Sequence, residues 1–306
     1  MERLSIGKTN IFFGIFMASY LGMSMLLSLL LPANLPYWAN MLVSEAIIIA
    51  PPAVLLVVLR TAPHNMLVRG HTGVFDMLLA YVGAYCLMPL IYFINFITMF
   101  FAENYVNNMV SELYVYPLWA QLVLMALLPA VVEEFIFRGI FYGSYRRKNV
   151  IKAALMSGLL FGVTHLNLNQ FAYAFAIGVA FCLLYEASGS IVLSMTAHFA
   201  INANTVFIMH MFDSVPETAA QESAVQSVPA GMMIMAAAIF AAFAVLGLFF
   251  FYLIIKKIAK RAGRTEELKK SVTDWERDEA EGKFFDVYMI IFIIVAVCYM
   301  IWLEIG

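Results

Sequence analysis

The sequence predicts an all-α, polytopic transmembrane helix bundle with eight or nine spanning helices, and three observations carry that expectation. Of 306 residues, 63% are hydrophobic and only 12% charged, with a mean hydropathy of +0.87, a balance that ordinary soluble domains do not show. Apolar runs of the roughly 20 residues needed to cross a bilayer core recur along the whole chain. Lys and Arg gather in alternate connecting segments, as they do when cytoplasmic loops carry the positive charge.

The first run, 11–31, lacks the basic start, short apolar core and small-residue cleavage site of a signal peptide, so it reads as a retained helix. The second, 40–59, contains Pro51-Pro52, and the third, 74–100, contains Pro89; each proline removes a backbone donor, so kinks are expected there. Further runs follow at 117–137, 151–167, 169–187, 190–210, 230–256 and 284–304, giving nine crossings. Segments 32–40 and 102–116 hold no Lys or Arg, whereas Arg60 and Arg69 lie between them. Arg146, Arg147, Lys148 and Lys152 mark the next basic loop, and Met211 to Pro229 is acidic without a base. This alternation places the N-terminus in the cytoplasm and, with nine crossings, the C-terminal tail outside. A multi-pass protein of a bacterial plasma membrane is the expected setting. Residues 259–283 mix both charges around Leu268, Val272 and Trp275, the pattern of a cytoplasmic amphipathic helix.

Composition also narrows function. A net charge of −2 with clustered bases gives no footprint for nucleic acid. Cys86, Cys182 and Cys298 fall in apolar runs without pairing or metal spacing and read as small packing hydrophobes. The 20 Met and 26 Phe fit lipid-facing packing, and the small residues from Ala236 to Gly247 fit a helix interface within the monomer. Glu45 is expected to snorkel to the nearby interface, and His64, His71 and His210 to sit at interfaces without acting as ligands.

Three motifs remain, each placing polar chemistry at apolar depth: Glu133-Glu134-Phe-Ile-Phe-Arg138, Phe161-Gly-Val-Thr-His165 and His198-Phe-Ala-Ile-Asn202. Buried charge is expensive in a bilayer, so such residues usually mark function. Glu134 and Arg138 share a helix face and can pair, which leaves Glu133, about 100° around, without a built-in partner and suited to general-base work. His165 and Phe161, and likewise His198 and Asn202, share faces, while Gly158 and Gly162 admit a close neighbour. Two imidazoles, a carboxylate and an amide could deprotonate a water and hold an oxyanion, the requirements for amide hydrolysis without a covalent intermediate. Interhelical hydrogen bonding alone is the competing reading. So are a zinc hydrolase using Glu133 or Glu134 with His165 and His198, although no HExxH helix is present, a non-catalytic immunity or scaffold protein, and a transporter with Glu133 as its ion site.

Depth adds a constraint. With its span ending near residue 137, Glu133 falls close to the cytoplasmic end, whereas His165 falls roughly 20 Å past the preceding basic loop. Meeting requires extended or tilted helices, or a thinned core, and a water-filled cavity open to the cytoplasmic side is expected.

The three motifs together resemble those of the CPBP (Abi) intramembrane protease family, which includes type II CAAX prenyl endopeptidases and bacterial lysostaphin-resistance and bacteriocin-immunity proteins. The family pattern EExxxR, FxxxH and HxxxN or HxxxD is met at every position, with Gly139 after the arginine and Gly189-Ser190-Ile191 before the third motif. The resemblance implies a glutamate-dependent endopeptidase that uses no metal or other cofactor. It implies that Glu133 and His165 activate water, His198 and Asn202 stabilise the oxyanion, and Glu134 and Arg138 position the first motif. Its partners would be membrane lipid and a peptide or protein substrate, lipidated or membrane-embedded. The expected organisation is N-terminal transmembrane helices at 1–116, a catalytic core at 117–210, and C-terminal helices with the charged segment at 211–306.

Overall fold

A computed structural model describes residues 4–32, 35–58, 70, 72–102, 115–212, 229–273 and 282–305. The basic residues Arg60 and Arg69, His64 and His71, most of the acidic stretch after Met211, and Trp275 lie outside the described residues.

Ten helices and no strand occur among the described residues: α1 Ile6–Leu30, α2 Tyr37–Val58, α3 Val74–Thr98, α4 Leu118–Tyr145, α5 Val150–Thr164, α6 Leu168–Ser188, α7 Ile191–Phe212, α8 Ala230–Arg261, α9 Thr265–Thr273 and α10 Val287–Ile305. Eight of them are long and apolar enough to cross a membrane, so this is a multi-pass membrane protein. The expected fifth crossing, 151–167, is α5 alone and has only 15 residues, about 22 Å of helix against the ~30 Å of a hydrocarbon core. Side chains on Asn149 and Asn167 cap α5 and α6 by accepting from the N–H groups of Lys152 and Gln170, which fixes these two helices as a tight antiparallel hairpin.

The hairpin closes on glycine. A Cβ on Gly158 would stand 2.8 Å from the Phe175 carbonyl, and one on Gly162 2.8 Å from that of Phe171, so the two backbones approach as the small-residue spacing predicts. Gly247 likewise seats α8 on the Cys86 carbonyl of α3, burying itself and Ala244, while Ala238 and Ala242 of the small-residue run stay exposed.

One end of the bundle is basic. There the start of α1 meets α4 and the segment before α10: Tyr145 Oη donates to Asn10 Oδ1 at 2.7 Å, and Asn10 Nδ2 to Asp286 Oδ2 at 2.9 Å. Arg146, after α4, grips Glu186 at the end of α6 at 2.6 Å, and Arg261, ending α8, meets Asp76 at the start of α3 at 2.5 Å. Gly189 terminates α6 at φ 68°, the left-handed region that glycine enters without a Cβ penalty. The amphipathic segment expected at 259–283 is divided: 259–261 finish α8, the chain turns at Gly263 with φ 68°, and α9 follows. Lys256 to Arg261 prolong α8 because their long side chains reach water from a helix whose backbone is still bonded.

Candidate active site

Pro129 organises the first motif from within α4. A proline cannot donate to the carbonyl four residues before it, which here belongs to Met125. Around that gap α4 widens into a π-turn over Leu122–Leu127, and Asn202 Nδ2 of α7 supplies the missing donor to the Met125 carbonyl at 3.1 Å. A second π stretch, Phe135–Tyr142, begins directly after Glu134. Such widened turns are frequent at functional sites because they re-aim side chains without ending the helix.

Glu134 and Arg138 are both fully buried and pair at 2.8 Å. Arg138 also donates through Nη2 to the Gly178 carbonyl of α6 at 3.1 Å, and its guanidinium lies 4.7 Å from the Phe161 ring centre and 5.2 Å from that of Phe181. Desolvated cation–π contact of this kind contributes on the order of 2 kcal/mol. Phe161 therefore does more than space the second motif: its ring meets His165 edge-on at 4.8 Å and His198 at 5.8 Å.

The two histidines are held differently. His165 follows the end of α5, and its Nδ1 lies 2.7 Å from the Phe161 carbonyl. A carbonyl only accepts, so Nδ1 carries the proton and Nε2 keeps its lone pair. His198 Nδ1 lies 3.0 Å from Glu134 Oε1, and its Nε2 lies 3.7 Å from Glu133 Oε2. His198 thus faces both carboxylates of the first motif, one through each ring nitrogen.

Glu133, Glu134, Arg138 and His198 thus form one contiguous cluster. His165 joins it through the Phe161 ring and does not come within ion-pair reach of Glu133, whose imidazole neighbour is His198. Asn202 is tied to α4 by one amide hydrogen and retains the other. Glu134 is matched by Arg138, and among the described residues no three His, Cys, Asp or Glu side chains are grouped to hold a metal ion.

A cavity of ≈ 710 Å³ adjoins the cluster, lined by Glu133, His165, His198 and Asn202. Glu133 keeps 17% of its side chain exposed there, while Glu134 keeps none. The depth expectation is corrected on two counts. Because α4 runs on to Tyr145, Glu133 sits about 18 Å and His165 about 22 Å from the basic end, level without a thinned core. The cavity also rises away from that end, past Met125, Tyr92 and Asn95 to Tyr37 and Asn40, rather than opening toward the basic loops.

Glu45 is a second correction. It does not snorkel but lies 9% exposed in α2, lining the same cavity, with Oε2 lacking a hydrogen-bond partner. Sequence reading misses it because a lone acid near a span end looks interfacial. Phe181, the other flank of Arg138, is missed because nothing separates it from other membrane phenylalanines.

A profile of the type II CAAX prenyl endopeptidase Rce1-like family matches residues 115–204. That segment, under a third of the chain, is similar to the Rce1-like family. A Bacillus subtilis (strain 168) protein named "Putative membrane peptidase YdiL" is 30% identical over 88 residues, which span 28% of this chain and 36% of that protein. No solved structure matches. The matched segment holds all six motif residues, whereas Tyr37, Asn40 and Glu45 of the cavity wall come from α2, outside it.

Proposed function

We propose that the protein is an intramembrane endopeptidase that hydrolyses a peptide bond of a lipidated or membrane-embedded substrate, with Glu133 as the general base and no covalent intermediate. One observation carries the reading. Of two adjacent carboxylates, Glu134 is neutralised by Arg138, and Glu133 faces the cavity beside a histidine that can share its proton.

In this mechanism Glu133 takes a proton from water as the oxygen attacks the peptide carbonyl carbon. His198 stands within reach to share that proton, and His165 offers a basic Nε2 to the same water. The free amide hydrogen of Asn202 donates to the oxyanion, replacing solvent with a fixed dipole. When the C–N bond breaks, the proton passes to the leaving nitrogen, and a carboxylate and an amine result. The bilayer lipid and the substrate peptide are then its partners, in a multi-pass setting with the N-terminus on the cytoplasmic side.

The test is cleavage of membrane peptides by purified protein in proteoliposomes. Glu133→Gln and His165→Ala are each expected to lower turnover by roughly 10²–10⁴-fold, with unfolding midpoints close to that of the unaltered protein. Undiminished cleavage by both variants would overturn the assignment.

A further inference from the structure

The polar cavity has one sealed end and one exposed end, and the distribution of charge says which side of the membrane each faces. Its floor is formed by Phe137, Phe161 and His198, all at most 3% exposed. Between that floor and the basic end lies a plug of buried rings, with Phe13, Phe16, Phe141, Tyr142 and Tyr145 each fully enclosed. Phe141 meets Phe13 and Phe16 edge-on at 5.6 and 6.1 Å, and the Tyr145–Asn10–Asp286 chain ties off the plug's lower rim. No route for a peptide passes through that packing.

Toward the other end exposure rises. Asn40 and Ser44 of α2 are exposed, as are Tyr92 of α3 and Ile208 of α7, 40% and 38% respectively. Among the described residues every Lys and Arg but the site's own Arg138 lies at the plugged end or on the segments leaving it. The connections at the open end, 102–116 and 211–229, contain acids and no base. Bases mark the cytoplasmic side of a membrane protein and acids carry little topological weight.

We propose that the cavity is entered from the extracytoplasmic side, so that the substrate is a membrane peptide whose cleaved segment lies in or above the outer leaflet. This rests on the peptidase reading and gives it a substrate class: secreted, tethered or transmembrane peptides rather than cytoplasmic chain ends. Tyr37, Asn40, Ser44 and Asn95 line the way in, and their donors and acceptors suit an extended backbone that has left water.

Sidedness can be read without any cleavage, so its failure is separable from failure of the peptidase reading. Asn40→Cys and Asn95→Cys, and Lys148→Cys as the basic-end control, are introduced into a Cys86→Ala, Cys182→Ala, Cys298→Ala background. If that background does not give a monodisperse protein, the native one is used with the unaltered protein as blank. Each is exposed to a membrane-impermeant sulfonated maleimide in intact cells and in inverted vesicles. Asn40→Cys and Asn95→Cys are expected to label at least tenfold faster in intact cells, and Lys148→Cys at least tenfold faster in inverted vesicles. Labelling of both cavity positions from the vesicle side only, or in neither preparation, overturns the proposal.

Discussion

The protein builds the same chemical pairing twice, once at mid-depth and once at its basic end, and the two differ in what is left over. At the basic end Glu186 receives Arg146 through Nε at 2.9 Å and Nη2 at 2.6 Å, accepts from Tyr142 Oη at 3.1 Å, and has Arg264 at 3.9 Å. One carboxylate is surrounded by two guanidinium groups, and the cluster's job ends with joining α4, α6 and the α8–α9 turn. At mid-depth the count is inverted, with two carboxylates and one guanidinium. Arg138 neutralises Glu134, and the surplus acid, Glu133, is the one that meets the cavity. A saturated cluster holds helices together; an unsaturated one has a group free to move a proton.

Removing the cation from each cluster should therefore give unequal results. Arg138→Met leaves Glu134 fully buried without its countercharge, and breaking such a pair costs about 3–5 kcal/mol. The stability of detergent-purified protein, followed by thermal or denaturant unfolding, should fall by that amount. Glu134→Gln added to Arg138→Met should recover much of the loss, since the double variant removes both charges. A double variant no more stable than Arg138→Met alone would mean that Arg138 acts through the rings of Phe161 and Phe181 and not through its charge.

Arg146→Met should cost less, about 2 kcal/mol, because hydrogen bonds to a charged group are worth roughly 1.5–3 kcal/mol and Arg264 remains beside Glu186. Its effect on peptide cleavage should be within a few-fold of the unaltered protein, measured at a temperature where both are folded. A loss of stability equal to that of Arg138→Met would erase the distinction between the two clusters.

How much of this is legible in the chain depends on whether a feature is local. The Glu134–Arg138 pair and the Gly158 and Gly162 approach face follow from spacing, and the structure shows both. Nine apolar segments are visible in hydropathy, but α5 is bounded by Arg146-Arg147-Lys148-Asn149 on one side and His165-Leu166-Asn167 on the other and keeps only 15 residues, too few to span. The partner of Glu133 is a different matter. Helical geometry cannot rank His165 against His198, since that choice depends on how α5 and α7 sit against α4. The opening of the cavity depends on packing of the same kind: with α4 ending near 137, Phe141, Tyr142 and Tyr145 fall beyond the span, whereas the structure encloses these rings in the core.

The smallest expected effect concerns the link between the third motif and α4, and it separates structure from chemistry at Asn202. If the amide's structural task is to satisfy the carbonyl that Pro129 orphans, Asn202→Leu should cost about 1–2 kcal/mol, the penalty of a buried acceptor left without a donor. Pro129→Ala restores a backbone N–H four residues after Met125, so the carbonyl can bond within the helix. In that background Asn202→Leu should lose most of its effect on stability, giving a coupling of roughly 1 kcal/mol in a double-mutant cycle. Cleavage should not recover with it, because the second amide hydrogen, the one assigned to the oxyanion, is absent in both. Full return of activity in Pro129→Ala with Asn202→Leu would reduce Asn202 to a helix clip and move the oxyanion role to His198 or His165, the two imidazoles that line the cavity.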